Sequence, residues 1–256
     1  MTSVMRKKII ASIEARMTSS RLPGKVLMES LPHISMLEYM INRVKKSNNI
    51  DDIIVATTIN KQDDPIVELC ENLSVKFFRG SEDDVLLRVL NAHKYFKSDI
   101  IVELTGDCPL IDYKLMDKII NVYLQNNYDY VSNSHERSYP DGFDVQVFST
   151  ELLDEISQLT QDPYDRENVS SYIYRSNRYK CHAVIAEPSL FWPELRVTLD
   201  DTGDYLLLKN IIENLGNDYH VIDVINYLRK NNNLLNLNKD ARIVEAPYQK
   251  LAKKNE

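Results

Sequence analysis

The chain is short of several things, and each shortage removes a class of protein. It has three cysteines in 256 residues, Cys70, Cys108 and Cys181. An odd number at that spacing fits neither a disulfide framework nor a zinc-ligand pattern; they read as reduced core thiols. No apolar run approaches the roughly 20 residues that span a bilayer. The opening stretch, Met1 to Lys8, lacks the long apolar segment of a secretory leader. The expectation is a cytoplasmic protein with no membrane partner. Positive charge is not in excess: 31 Lys and Arg stand against 38 Asp and Glu, a net charge of -7. That balance speaks against a general nucleic-acid binder. The five histidines are scattered without ligand spacing, and no Ser-His-Asp or Cys-His arrangement can be argued. Internal repeats and low-complexity linkers are missing too.

What is present is an ordinary globular composition, 43% hydrophobic and 27% charged, in a chain long enough for a full core. Strand-like and helix-like segments alternate. Apolar or β-branched runs predict strands at 9–13, 53–58, 76–79, 100–105, 128–133, 144–148, 181–185 and 195–199. Helical spacing predicts helices at 36–46, 64–73, 82–95, 115–124, 164–174, 205–215 and 221–228, with Ser81 and Asp112 as N-caps of the third and fourth. This order implies an α/β fold with a largely parallel sheet and helices on both faces. A single domain is expected over 6–230, with 132–194 as a small mixed subdomain. A polar Asn/Lys-rich tail, 231–256, follows, its last dozen residues expected to be mobile.

Three charged motifs fall where strands end, the place at which open α/β sheets bind ligands. The first follows the opening strand. Arg16, Arg21 and Lys25 occur within ten positions, with Thr18, Ser19, Ser20 and a permissive Gly24 between them. Such a loop offers backbone N–H groups, hydroxyls and cations to one compact polyanion, the simplest being a nucleoside triphosphate. The second is Asp107, just past the strand at 100–105. A carboxylate beside a triphosphate suits Mg²⁺, which binds through one or two carboxylates plus phosphate oxygens. The third is Asp200, after the apolar run 195–199, able to complete a metal site with Asp107. Asp204 is expected to cap the next helix, and Arg196 to face either the site or solvent. Two weaker signals remain. Arg79, Gly80 and Ser81 form a strand-end turn that can touch a base. Asn133, His135 and Arg137, with the turn cluster from Ser138 to Asp144, can line an acceptor pocket.

Together these motifs resemble the cytidylyltransferase-type nucleotidyltransferases, and within them the SpsF-like branch. That branch opens close to Q-A-R-M-G-S-T-R-L-P-G-K-V-L. Here the stretch is Glu14-Ala15-Arg16-Met17-Thr18-Ser19-Ser20-Arg21-Leu22-Pro23-Gly24-Lys25-Val26-Leu27. Further matches are Val55-Ala56-Thr57-Thr58, Arg79-Gly80-Ser81-Glu82, Asp107-Cys108-Pro109-Leu110, Tyr139-Pro140-Asp141-Gly142, Asp162-Pro163-Tyr164-Asp165-Arg166-Glu167 and Leu195-Arg196-Val197-Thr198-Leu199-Asp200.

The resemblance implies a nucleotide-diphosphosugar-transferase fold of the GT-A kind. It implies reaction of CTP with a sugar-acid or related acceptor, giving a CMP-linked product and pyrophosphate for surface polysaccharide or glycan biosynthesis. Arg21 and Lys25 then hold the triphosphate, and Asp107 and Asp200 hold Mg²⁺. Ala15, Arg16, Ser19, Ser20, Thr57, Arg79, Gly80 and Ser81 belong to the nucleotide site. Asn133, Tyr139, Asp144, Arg166, Glu167 and Arg196 belong to the acceptor site. A homodimer is also implied. Some positions depart from the pattern. Glu14 stands for Gln and Thr18 for Gly in the phosphate loop, and Gln146 stands where Glu is common. A carboxylate at position 14 repels phosphate unless it turns away or contacts the base or ribose. Rival readings are activation of a phosphorylated sugar or small acid by CTP or GTP, a GT-A glycosyltransferase, and a non-catalytic nucleotide-binding relative.

Overall fold

The computed structural model describes residues 6–239. Its centre is a seven-stranded sheet. The chain enters through β1 (Ile9–Glu14) and a small hairpin, β2 (Glu29–Leu31) and β3 (Ile34–Ser35). It continues through α1 (Met36–Val44), β4 (Asp52–Thr58), α2 (Asp64–Asn72), β5 (Lys76–Gly80), α3 (Val85–Phe96) and β6 (Ile100–Thr105). Next come α4 (Tyr113–Gln125), β7 (Tyr130–Ser132), β8 (Gln146–Ser149), α5 (Thr150–Leu159), α6 (Pro163–Glu167), α7 (Ser171–Arg175) and β9 (Cys181–Ala183). Two helices, α8 (Thr202–Leu215) and α9 (Val221–Lys230), precede a 3₁₀ turn at Asn232–Leu237.

The sheet order is β5-β4-β1-β6-β8-β7-β9. β5, β4, β1 and β6 run parallel, β8 is antiparallel to both β6 and β7, and β9 is parallel to β7. From β1 the chain builds outward through β4 and β5, then returns to lay β6 on the other side of β1. β1 and β6 therefore flank a topological switch point, where the loops leaving two adjacent strands diverge and open a crevice. Glu14 pairs with Thr105 at that end.

Side-chain alternation divides the core. Ile9, Ala11 and Ile13 of β1 and Ile100, Val102 and Leu104 of β6 face α1, α4, α8 and α9. The opposite face carries Ala56 and Ile101, packed with Leu86 and Val89 of α3, Leu153 and Ile156 of α5 and Ile173 of α7. By the same alternation Ser12, Glu14 and Glu103 belong to this second face.

Several expectations change here. The run 195–199 is not a strand. It has one parallel bridge, Arg196 to Asp141, and hangs from backbone bonds: Asp141 N–H to Leu195 C=O and Val197 N–H to Asp141 C=O, both 2.8 Å, and Leu199 N–H to Asp107 C=O at 2.7 Å. The helix expected over 164–174 is two short ones, interrupted where Val169 takes φ 41°, a left-handed value that a β-branched residue rarely adopts. The cap of α3 is Asp84, which accepts from Leu87 N–H at 2.9 Å; Ser81 lies outside it and accepts from Asp84 N–H. The cap of α8 is Asp201, and Asp204 is its capping-box partner. α5 and the β2–β3 hairpin had no expectation. Of the tail, 231–239 is described: Leu234 and Leu235 pack on the core. The expectation for the last dozen residues lies outside the described residues. Among the described residues no helix is long and apolar enough to cross a membrane.

Candidate active site

The loop after β1 folds back on itself. Met17 C=O accepts from Ser19 N–H at 3.0 Å and from Gly24 N–H at 2.9 Å. Gly24 closes the turn at φ 74°, a left-handed conformation open to glycine at little cost. Two carboxylates from the neighbouring strand-end loops pin the loop. Buried Asp63 accepts from Met17 N–H at 2.7 Å, and Glu82 accepts from the Thr18 hydroxyl and from Arg16. Neither was given this role from the sequence, because their partners lie 46 to 66 residues away. Across the crevice, Gly106 N–H donates to Glu14 C=O at 2.9 Å. A Cβ on Gly106 would sit 2.6 Å from that same carbonyl, so only glycine lets β6 end this close to β1.

A cleft of about 380 Å³ opens there. Ala15, Arg16, Ser19, Ser20, Arg21 and Lys25 of the loop line it together with Asp107 and Asp200. Lys25 Nζ lies 2.9 Å from Asp200 Oδ1 and 3.7 Å from Asp107 Oδ2. Arg21 reaches Asp200 at 3.1 Å and Arg196 reaches it at 2.9 Å. Burial by itself would raise the Asp200 pKa, but Lys25, Arg21 and Arg196 outweigh it and hold the carboxyl below its usual range. Asp200 is thus an anion at neutral pH, ringed by three cations. Arg88 of α3, 3% exposed, also lines the cleft; nothing in the sequence marked it.

Glu14, the departure inside the loop, turns to the second face of the sheet. Its pKa is pushed well above the usual range, by burial first and then by Glu103, while Arg88 pulls the other way. Burial thus disfavours the charged form, which is the form that would repel phosphate. Glu103 sits on the adjacent strand, 4% exposed, and burial raises it to about 8. A charged residue inside the otherwise apolar run 100–105 was the available sequence signal for it.

Beyond Glu14 a second cavity of about 240 Å³ adjoins the first. Glu14, Thr105, Glu167 and Asn168 line both. Of the residues expected at an acceptor site, Asp144 and Glu167 line this cavity. The others serve elsewhere. Asn133 is buried and holds the backbone of Phe143 and Val145. Tyr139 is fully buried. Arg166 pairs with Asp84. Arg196 faces inward on Asp200 and Asp204. Four expected nucleotide residues do not line the cleft. Arg79 is spent on the carbonyls of Thr58 and Asn60 and on Asp64. Gly80 C=O accepts from Ile59 N–H. Ser81 C=O accepts from Arg88. Thr57 is buried in β4.

The comparisons agree with this geometry. The family model described as cytidylyltransferase matches residues 10–191. An uncharacterised protein of Methanocaldococcus jannaschii is 40% identical over 239 residues, covering 92% of this chain and 96% of its own. The spore coat polysaccharide biosynthesis protein SpsF of Bacillus subtilis is 32% identical, over 87% of this chain and 95% of its own. Among solved structures, a cytidylyltransferase from Leptospira borgpetersenii superposes with a TM-score of 0.84 at 33% identity, over 90% of this chain and 97% of that one. With a phosphate-type loop and an acidic strand end facing each other across the switch point, the chain belongs to the cytidylyltransferase family, in its SpsF-like branch, and is a CTP-dependent nucleotidyltransferase.

Proposed function

We propose that the protein transfers CMP from CTP to a hydroxyl of a sugar-type acceptor in the assembly of a surface polysaccharide or glycan. The observation that carries this reading is the single cleft in which Arg21 and Lys25 meet Asp107 and Asp200. The acceptor oxygen attacks the α-phosphorus of CTP in line. A bond from that oxygen to phosphorus forms, and the bond from the α-phosphorus to the bridging oxygen breaks. Pyrophosphate leaves with the electron pair, and the hydroxyl proton passes to solvent. Such chemistry depends on positioning and charge neutralisation. Arg21 and Lys25 hold the β- and γ-phosphates and neutralise the charge that grows on pyrophosphate. Arg16, Ser19 and Ser20 orient the chain of phosphates from the loop.

Asp107 and Asp200 fit a divalent cation such as Mg²⁺. Both already converge on one positive group, the Lys25 ammonium, and two carboxylates with phosphate oxygens make the all-oxygen set that Mg²⁺ takes. When bound, that ion supplies charge for the phosphate oxygens. Among the described residues no group of three or more His, Cys, Asp or Glu is arranged to hold a metal by itself. A homodimer through 132–194 belongs to the same proposal; half-exposed Ile185 and Phe191 on that segment support it, and sedimentation tests it.

Calorimetric titration with CTP, GTP, UTP and ATP in the presence of Mg²⁺ tests the nucleotide half without knowledge of the acceptor. CTP is expected to bind tightest, with binding weakened at least about tenfold in Lys25→Ala. Equal binding of all four, or an unaffected Lys25→Ala, defeats the assignment.

A further inference from the structure

The 3₁₀ turn at Asn232–Leu237 is tied to the cleft from behind. Leu234 and Leu235 pack it on the core, and it presses on the first turn of α8. A Cβ on Gly203 would overlap the Leu237 carbonyl oxygen, so glycine there lets the two backbones meet. Asn238 follows directly. It lies beyond residues 10–191, the stretch that matches the cytidylyltransferase model, and it does not line the cleft. Its amide Nδ2 donates to Arg196 C=O at 3.1 Å and to Asp204 Oδ1 at 3.0 Å. An amide nitrogen carries two protons, and these two acceptors account for both.

Asp204 is the hub of the arrangement. It is fully buried, and a buried carboxylate has to be met by donors. Asn238 supplies one to Oδ1. Oδ2 accepts from Arg196 Nη2 at 2.5 Å, from Asp200 N–H at 3.0 Å and from Asp201 N–H at 3.3 Å. The same Arg196 nitrogen donates to Asp200 Oδ2 at 2.9 Å. Asp200 is therefore held twice, its backbone by Asp204 and its carboxylate by Arg196, and Asn238 bonds to both of those residues.

The other two cations on Asp200, Lys25 and Arg21, belong to the phosphate loop and turn to the nucleotide in the reaction proposed above. Arg196 does not line the cleft and stays with Asp200. Asp204 shares its guanidinium, which leaves Asp200 more negative toward a cation in the cleft.

We propose that Asn238 is a positioning residue: through Asp204 and Arg196 it fixes the direction and charge of the Asp200 carboxylate, so that the 3₁₀ turn is part of the active site. The inference rests on the CMP-transfer reading in treating Asp200 as a cation ligand. Groups behind a metal ligand typically change metal affinity about 10–100-fold when removed.

Two measurements on the full chain test it. The first needs no ligand. Amide hydrogen exchange followed by NMR should show Asp200 and Asp201 N–H exchanging at least about tenfold faster in Asn238→Ala, with amides of β1 and β6 within about twofold of the parent. The second titrates Mn²⁺ into enzyme saturated with a non-hydrolysable CTP analogue and reads free Mn²⁺ by electron paramagnetic resonance. Asn238→Ala should bind Mn²⁺ about tenfold more weakly than the parent. Asn238→Asp keeps the shape but removes both donors and should lose at least as much. Asn236→Ala, at an exposed position of the same turn, should match the parent in both measurements. Unchanged exchange at 200 and 201, unchanged Mn²⁺ affinity in Asn238→Ala, or parent-like behaviour of Asn238→Asp overturns the proposal. So does faster exchange throughout β1 and β6, because Asn238 would then serve the fold at large. Absence of Mn²⁺ binding by the parent defeats the CMP-transfer reading instead, and the exchange measurement still decides whether Asn238 holds the Asp200 loop.

Discussion

Lys25 illustrates what one residue can reveal in sequence and what it cannot. Its place behind Gly24 in a hydroxyl-rich loop marked it as a phosphate ligand, because that chemistry is local. Its contact with Asp200 spans 175 positions, and no spacing rule reaches that far. In the assigned role, Lys25→Ala lowers kcat about 10²-fold or more, the scale of losing one transition-state charge contact. Steady-state pyrophosphate release measures it, and near-normal turnover would refute the role. Glu103 gives a pH prediction. Burial raises its folded pKa to about 8 from the ordinary 4.5, so between those values the native state holds a proton that the unfolded state has lost. Its contribution to stability is complete below pH 4.5 and is lost as pH rises through about 8, with a slope of at most about 1.4 kcal/mol per pH unit. Glu103→Gln removes that slope. Urea unfolding at pH 5.5 and pH 8 should show the variant gaining on the parent at the higher pH, and parallel pH dependences would contradict the buried-acid assignment.

Among the elements, helix starts separate what is local from what is not. Asp112 was legible as the cap of α4 because a cap and its amides lie within three residues. It accepts from Lys114 and Leu115 N–H as expected. It also accepts from Val221 N–H at 2.9 Å, joining the starts of α4 and α9, and that second task was invisible. Asp112→Ala strands buried donors on two helices and should cost about 3 kcal/mol, beyond the roughly 1 kcal/mol of an ordinary cap. Denaturant midpoints report it, and a loss of only about 1 kcal/mol would mean that the tie to α9 contributes nothing. The run 195–199 shows the converse. Its apolar alternation resembles a strand, but a strand needs a continuous ladder of partners, and this run makes one bridge, Arg196 to Asp141. The run lies along Asp107 and Asp141 instead, which is how Asp200 reaches the cleft.

For the whole molecule, β8 and β9 fall within 132–194 and hydrogen-bond into the same sheet as β6, so unfolding is expected in one cooperative transition. Scanning calorimetry checks this, and two resolved transitions would divide the domain. CTP with Mg²⁺ at about 100 times its Kd should add about 2.7 kcal/mol. For a chain of this size that is a rise in Tm of about 5–10 °C, with most of it lost in Lys25→Ala. The sequence by itself determined the α/β alternation, the cation-rich loop after β1 and the place of Asp107 just past β6, because each is written within about ten consecutive residues. The tertiary structure alone decided that Arg79 serves the backbone, that Arg88 joins the cleft, and that Glu14 and Glu103 share a buried face beside a second cavity. The reason is geometric. Side-chain direction along a strand follows from local alternation, but which strands lie side by side is set by the return of β6 across β1, and only that crossing brings distant charges into one crevice.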